Sequence, residues 1–150
     1  MPKILELGTG TLVKNGVTHH DRIKHSDHID VAWDLEKYPW PWQDNEWDEI
    51  RAYDVFEHMS ADINIWLSEL HRILKNGGTL TLRLPSWDNP LSYRDPTHKK
   101  VFHEETFDYF DPNKALNREF GRFYWDTVPL FNVIFNGREN NDLLFTMIKI

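Results

Sequence analysis

The shortness of its connections constrains this chain more than anything else in it. Ile4-Leu5-Glu6-Leu7 is an apolar run that reads as a strand and leads into a glycine-rich turn, Gly8-Thr9-Gly10. A second strand is expected over Val17–His20, closed by Asp21, and a third over Ile29–Trp33, closed by Asp34. Parallel neighbours need a crossover, usually of about a dozen residues or more and containing a helix. Neither Gly10–Val17 nor Arg22–His28 has room for one. A sheet made from these strands must lack some helices of a full doubly wound fold.

A fourth strand is expected over Asp48–Tyr53. The clearest helix follows, with Ser60 as its N-cap and Asp62 in its first turn. Ile63, Trp66, Leu67, Leu70, Ile73 and Leu74 recur at helical spacing, and Gly77-Gly78 should stop the helix. Thr79–Leu84 reads as a strand ended by Pro85, and Glu104–Tyr109 as a shorter helix. Phe131–Phe135 and Leu143–Ile150 read as an antiparallel hairpin with a long loop containing Asn136-Gly137.

Strands alternating with helices predict a mostly parallel sheet. A strand buried on both faces is a continuous apolar run. Here Leu80, Leu82 and Leu84 alternate with Thr79, Thr81 and Arg83, and Ile50 and Ala52 with Arg51 and Tyr53. One face is therefore apolar and the other half polar. The expected fold is α/β and Rossmann-like but reduced, with helices mainly on one face, a C-terminal antiparallel hairpin and a single domain over residues 1–150.

Composition narrows the function classes. The chain has no cysteine, which excludes disulfides and thiolate metal sites. A net charge of −7 argues against tight nonspecific nucleic-acid binding. No apolar stretch reaches membrane length, so a cytoplasmic protein without a membrane partner is expected.

Gly8 and Gly10 allow a ligand close to the backbone at the carboxyl edge of a strand, though a plain turn uses glycine in the same way. Val13 stands where a dinucleotide fingerprint needs its third glycine, which disfavours a phosphate-bearing ligand. Asp21 and Asp34, each just past a strand, can accept hydrogen bonds from ribose hydroxyls or an adenine amine, or can serve as turn aspartates. Three such features at successive strand ends favour a nucleoside pocket. His19, His20, His25 and His28 read as solvated loop residues, and no metal site is expected. Trp40 and Trp42 are either a flap over the pocket or loop packing, and Phe120–Trp125 is either a substrate wall or a cover for apolar surface.

The ordered set of motifs resembles the class I S-adenosylmethionine-dependent methyltransferases, with the closest likeness to a compact subgroup found in bacteria and phages. The resemblance spans Ile4 to about Tyr109. It rests on Leu5-Glu6-Leu7-Gly8-Thr9-Gly10, Gly16 with Asp21, Asp30-Val31-Ala32-Trp33-Asp34-Leu35 and Pro39-Trp40-Pro41-Trp42. It continues through Trp47-Asp48-Glu49-Ile50, Val55-Phe56-Glu57-His58 and Glu69-Leu70-His71-Arg72-Ile73-Leu74-Lys75-Asn76-Gly77-Gly78. Asp95-Pro96-Thr97-His98 and Phe107-Asp108-Tyr109-Phe110 follow in order.

The resemblance implies S-adenosylmethionine as cofactor. By position, Gly8, Thr9 and Gly10 would meet its methionine part, Asp21 the ribose, and Asp34 with Leu35 the adenine, with Glu6 also among the cofactor-binding residues. Tyr53 and Asp54 would line the pocket. Methyl transfer relies chiefly on positioning, with a base needed only if the acceptor must lose a proton. His98 beside Asp95 is the first candidate and His58 the second; a helix-start residue bonded to backbone is the other reading of His58. The implied reaction is methyl transfer to a small-molecule or sugar-like acceptor. The alternative is a catalytically inactive binding module that keeps the cofactor pocket, and a histidine-based metal hydrolase is a third reading. A homodimer is expected to shield part of the helix-poor sheet face.

Overall fold

Alternation along the strands decides which way the sheet faces. In the computed structural model, which describes all residues from Met1 to Ile150, the strands are β1 (Ile4–Leu7), β2 (Thr18–Asp21), β3 (Val31–Ala32) and β4 (Trp47–Tyr53), then β5 (Leu74–Pro85), β6 (Phe131–Glu139) and β7 (Asp142–Lys149). Leu5 and Leu7, Ile50 and Ala52, Leu80, Leu82 and Leu84, and Leu143, Phe145 and Met147 are all buried on one face. The alternate residues Glu49, Arg51, Tyr53, Thr79, Thr81, Arg83, Thr146 and Ile148 are only partly buried. The sheet order is β3-β2-β1-β4-β5-β7-β6. The first five strands in that order are parallel, and β7 runs antiparallel to both β5 and β6. This is the reduced Rossmann-like sheet with a C-terminal hairpin that the sequence predicts.

One long helix, α1 (Ile63–Ile73), turns Trp66, Leu67, Leu70 and Ile73 into the core on the apolar face. Trp66 stacks on Phe56 with ring centroids 4.3 Å apart. Full burial of one such large apolar side chain contributes about 1.5–3 kcal/mol. Trp40 and Trp42, the candidate flap, are buried too and pack edge to face with each other, and Trp42 packs edge to face with Trp47. They close the core beneath the β3–β4 connection and do not cover a pocket.

Several boundaries differ from expectation for identifiable reasons. The N-cap of α1 is Asp62, whose Oδ1 accepts the Asn64 N–H at 2.8 Å. The Ser60 N–H is instead bonded to the Glu36 carboxylate. The helix ends at Ile73, short of the glycine pair, because Leu74 is already extended and paired with Trp47. Gly77, at φ +75°, lies within the long β5. The expected second helix is a 3₁₀ segment, Thr106–Phe110. The C-terminal hairpin has no long loop: β6 continues through Asn136 and Gly137 after a register shift, and the chain reverses at Asn140-Asn141, with Asn140 at φ +59°.

The β1–β2 crossover dispenses with a helix by using side chains of β2. Gly8 N–H meets His20 Nδ1 at 3.3 Å, Thr9 N–H the His20 carbonyl at 3.0 Å, and Gly10 N–H Asp21 Oδ2 at 2.8 Å. Lys14 N–H meets His19 Nε2 at 3.0 Å, and His28 Nε2 lies 2.9 Å from the Gly10 carbonyl. A helix normally satisfies these backbone groups; here histidines and an aspartate do so.

Candidate functional site

In an open α/β sheet, ligands bind beyond the carboxyl ends of the strands where the strand order reverses. Here that point lies between β1 and β4, where Gly8 leaves one strand and Asp54-Val55 the other. A cleft of about 370 Å³ opens there. Gly8, Val55 and Met59 line one part of it, and Asp21, Trp33, Asp34 and Leu35 another. Its size falls within the roughly 300–1,000 Å³ range of small-molecule sites.

Glycine is required at position 8. Its φ is +62°, and a Cβ there would come within 2.4 Å of Val55 Cγ2. The turn is held by His20, whose Nε2 lies 2.8 Å from the Trp33 carbonyl while Nδ1 receives the Gly8 N–H. These contacts fix a neutral ring with its proton on Nε2. Burial lowers its pKa, in keeping with that state.

The rim is acidic. Asp21, Asp34, Glu36 and Asp54 all border the cleft. Burial acts to raise the Asp21 pKa, but the N–H groups of Gly10 and Arg22, with His25 nearby, outweigh it and hold the carboxylate below its usual range. Asp34 accepts the Glu36 N–H at 3.0 Å, and Asp54, at φ +59°, pairs with Arg83 at 2.6 Å.

A second recess of about 270 Å³ adjoins the cleft and shares Asp54 and His58 with it. Glu57, Asp95, His98 and Asp142 also line it. Thr97 Oγ1 donates to Asp95 Oδ1 at 2.6 Å and lies 2.9 Å from His58 Nδ1. Asp95, held low chiefly by these bonds from Thr97, is ionised and can only accept. The single Thr97 proton is therefore spent on Asp95, and His58 Nδ1 must be the donor to Thr97. That leaves a lone pair on Nε2, 3.7 Å from Glu57 Oε1. His98 lies against this group, its ring centroid 4.8 Å from that of His58 and its Nε2 3.6 Å from Asp95 Oδ2. Burial, reinforced by Asp54 and Asp142, pushes the Glu57 carboxyl up to about 8.

The sequence candidates divide accordingly. Gly8, Asp21, Asp34, Leu35 and Asp54 line the cleft, and His58, Asp95 and His98 meet in the recess beside it. Glu6, Thr9, Gly10 and Tyr53 do not line the cleft. Glu6 lies on the other sheet face, ion-paired with Lys14 at 2.9 Å. Tyr53, on that face too, has Lys14 Nζ and the Arg83 guanidinium over its ring at 4.9 and 5.2 Å. Thr9 is buried, and Gly10 is occupied on both backbone groups by Asp21 and His28. His20, Trp33, Glu36 and Glu57 escaped sequence reasoning. His20 and Trp33 carried a signal, since both lie at ends of expected strands. Glu57 carried only its place beside His58. The aromatic segment Phe120–Trp125 borders neither cavity.

Residues 14–82 match the family described as a methyltransferase domain. No curated protein matches the chain by sequence. Among solved structures, a SAM-dependent methyltransferase from Archaeoglobus fulgidus aligns with a TM-score of 0.64 at 16% identity, over 99% of this chain and 86% of that one. A SAM-dependent methyltransferase from Aquifex aeolicus aligns at 0.62 and 14%, over 99% and 82%. Phosphoethanolamine N-methyltransferase 1 of Haemonchus contortus, solved with phosphoethanolamine and S-adenosylhomocysteine, aligns at 0.68 and 13%, over 99% of this chain and 39% of that one. Residues 14–82 thus resemble a methyltransferase domain, and the chain as a whole has the fold of these SAM-dependent methyltransferases.

Proposed function

We propose that the chain transfers a methyl group from S-adenosylmethionine, held in the cleft at the β1/β4 switch point, to a small-molecule or sugar-like acceptor in the adjoining recess. The observation that carries this reading is the adjacency of the two cavities, which share Asp54 and His58 as lining residues. The residues present fit the cofactor. An acidic rim suits a sulfonium cation and hydroxyl donors, and the missing side chain at Gly8 lets the turn pack against Val55. A phosphate-bearing ligand fits poorly, because the N–H groups of Gly8, Thr9 and Gly10 are already bonded to His20 and Asp21. In this reading the Gly8 turn faces the methionine part, Asp21 takes ribose hydroxyls, and Asp34, Leu35 and Trp33 surround the adenine.

When bound, the cofactor supplies a methyl group already activated on sulfur. The chain's own residues orient the acceptor and accept its proton. His98, beside Asp95, and His58, with its Nε2 lone pair free, are the groups placed to do so. The test is formation of S-adenosylhomocysteine across a panel of candidate acceptors. His98→Ala should lower turnover by about 100-fold or more while leaving cofactor affinity within about 2-fold. A parallel fall in cofactor affinity and melting temperature would assign His98 a structural role instead. Tight cofactor binding with no turnover on any acceptor would favour the inactive binding module. A cytoplasmic setting, the bacterial or phage subgroup and a homodimer through the open sheet face belong to this proposal on sequence grounds.

A further inference from the structure

We propose that Glu57, His58 and His98 form a binding site for one divalent first-row transition ion, with Zn²⁺ as the probe. One ligand atom from each of the three residues lies within 4.8 Å of the others. Nitrogen and oxygen ligands about 2.0–2.2 Å from zinc stand roughly 3.3 Å apart in a tetrahedral site. The group therefore needs to close by at most about 1.5 Å, and His58 is half exposed.

Three observations point to a ligand at this place. His58 gives its Nδ1 proton to Thr97, itself bonded to Asp95, so Nε2 presents a lone pair toward Glu57. A histidine oriented through its other ring nitrogen in this way is the usual arrangement around a bound metal. Glu57 Oε2 and His98 Nδ1 are buried and have no hydrogen-bond partner, with side-chain exposures of 2% and 8%. Folded proteins seldom leave such atoms unpaired. Finally, Asp54, Asp95 and Asp142 surround Glu57 in one recess, and the nearby cation, Arg83, is already paired with Asp54 at 2.6 Å and lies 4.0 Å from Asp142. A dication would offset that excess of negative charge.

Two imidazoles and a carboxylate, with no cysteine in the chain, form a nitrogen and oxygen donor set suited to zinc or iron(II) rather than to softer ions. Three protein ligands beside an open recess leave coordination positions for a small molecule, as catalytic sites do. If the methyl-transfer reading holds, the ion would bind the acceptor oxygen and ease loss of its proton. Binding of the ion itself does not depend on that reading. The residues are separated in sequence, and the clustered His19, His20, His25 and His28 spend their ring nitrogens on the β1–β2 turn and its flanking loop.

The test is calorimetric titration of the metal-free chain with Zn²⁺ alone, without S-adenosylmethionine. One ion per chain should bind with a dissociation constant of about 10 μM or tighter. His58→Gln should weaken binding at least 10-fold and abolish the rise in melting temperature that Zn²⁺ produces in the parent chain. His25→Gln should bind as the parent does. His58 is exposed, so its variant should fold, and a melting curve without metal verifies that; His98→Asn is a second variant with the same expected loss. The proposal is overturned if the parent shows no saturable binding below about 100 μM, if His58→Gln binds like the parent, or if only His25→Gln weakens binding. Because no cofactor is present, failure here leaves the methyl-transfer reading standing.

Discussion

At the scale of single residues, the site depends on side chains that free or occupy backbone groups. Gly8 combines a left-handed φ with a contact that excludes even a methyl group. Gly8→Ala should destabilise the chain by about 1–3 kcal/mol in urea unfolding and weaken cofactor binding along with stability. His20 and Asp21 do the work of an absent helix N-terminus by receiving the N–H groups of Gly8 and Gly10. Of the residues expected from the sequence, Gly8 and Asp21 line the cleft; His20 was not expected there, because a histidine in a strand carries no label for what its ring will bond. It also placed Glu6 and Tyr53 in the cleft, although the two-residue period was available to correct it. Glu6 alternates with Leu5 and Leu7, and Tyr53 follows inward-facing Ala52. Both therefore belong to the open face.

At the scale of elements, position in the chain was easier to read than termination. The apolar spacing in α1 located its buried stripe, but the cap fell on Asp62 because Glu36 reaches across to Ser60 and Ala61. No local pattern encodes that long-range bond. Asp62 also accepts from Trp125 Nε1 at 3.0 Å, tying the exposed aromatic segment to the start of α1. Asp62→Ala should therefore cost about 1–2 kcal/mol, seen as a lower midpoint in urea, and Asp62→Asn should recover much of it. The hairpin shows the same limit. Asn136-Gly137 looks like a turn, but pairing between β6 and β7 extends past it, and the reversal falls at Asn140-Asn141. Register along a whole ladder overrides a local turn preference.

At the scale of the whole molecule, the short crossovers leave one sheet face without helices, as the spacing of the first strands predicted. Arg51 pairs there with Glu49 at 2.6 Å and Lys14 with Glu6 at 2.9 Å, so much of the charge on this face is matched within the chain. The partly exposed Arg51–Glu49 pair contributes little to stability, about 0–1 kcal/mol, and Lys14 covers the buried Glu6 carboxylate, so both pairs make the face compatible with water. Light scattering at micromolar concentration tests the homodimer: twice the chain mass, reduced to one chain by Arg83→Glu, supports it, and a single chain mass in the parent rejects it. The central claim concerns the opposite edge, where strand ends, an acidic rim and a glycine turn make one cleft. Calorimetric titration with S-adenosylhomocysteine tests it most directly. The account predicts one saturable site per chain, weakened at least 10-fold in Asp21→Ala, the equivalent of about 1.4 kcal/mol. A correctly folded parent chain that takes up neither S-adenosylhomocysteine nor S-adenosylmethionine at millimolar concentration would contradict it.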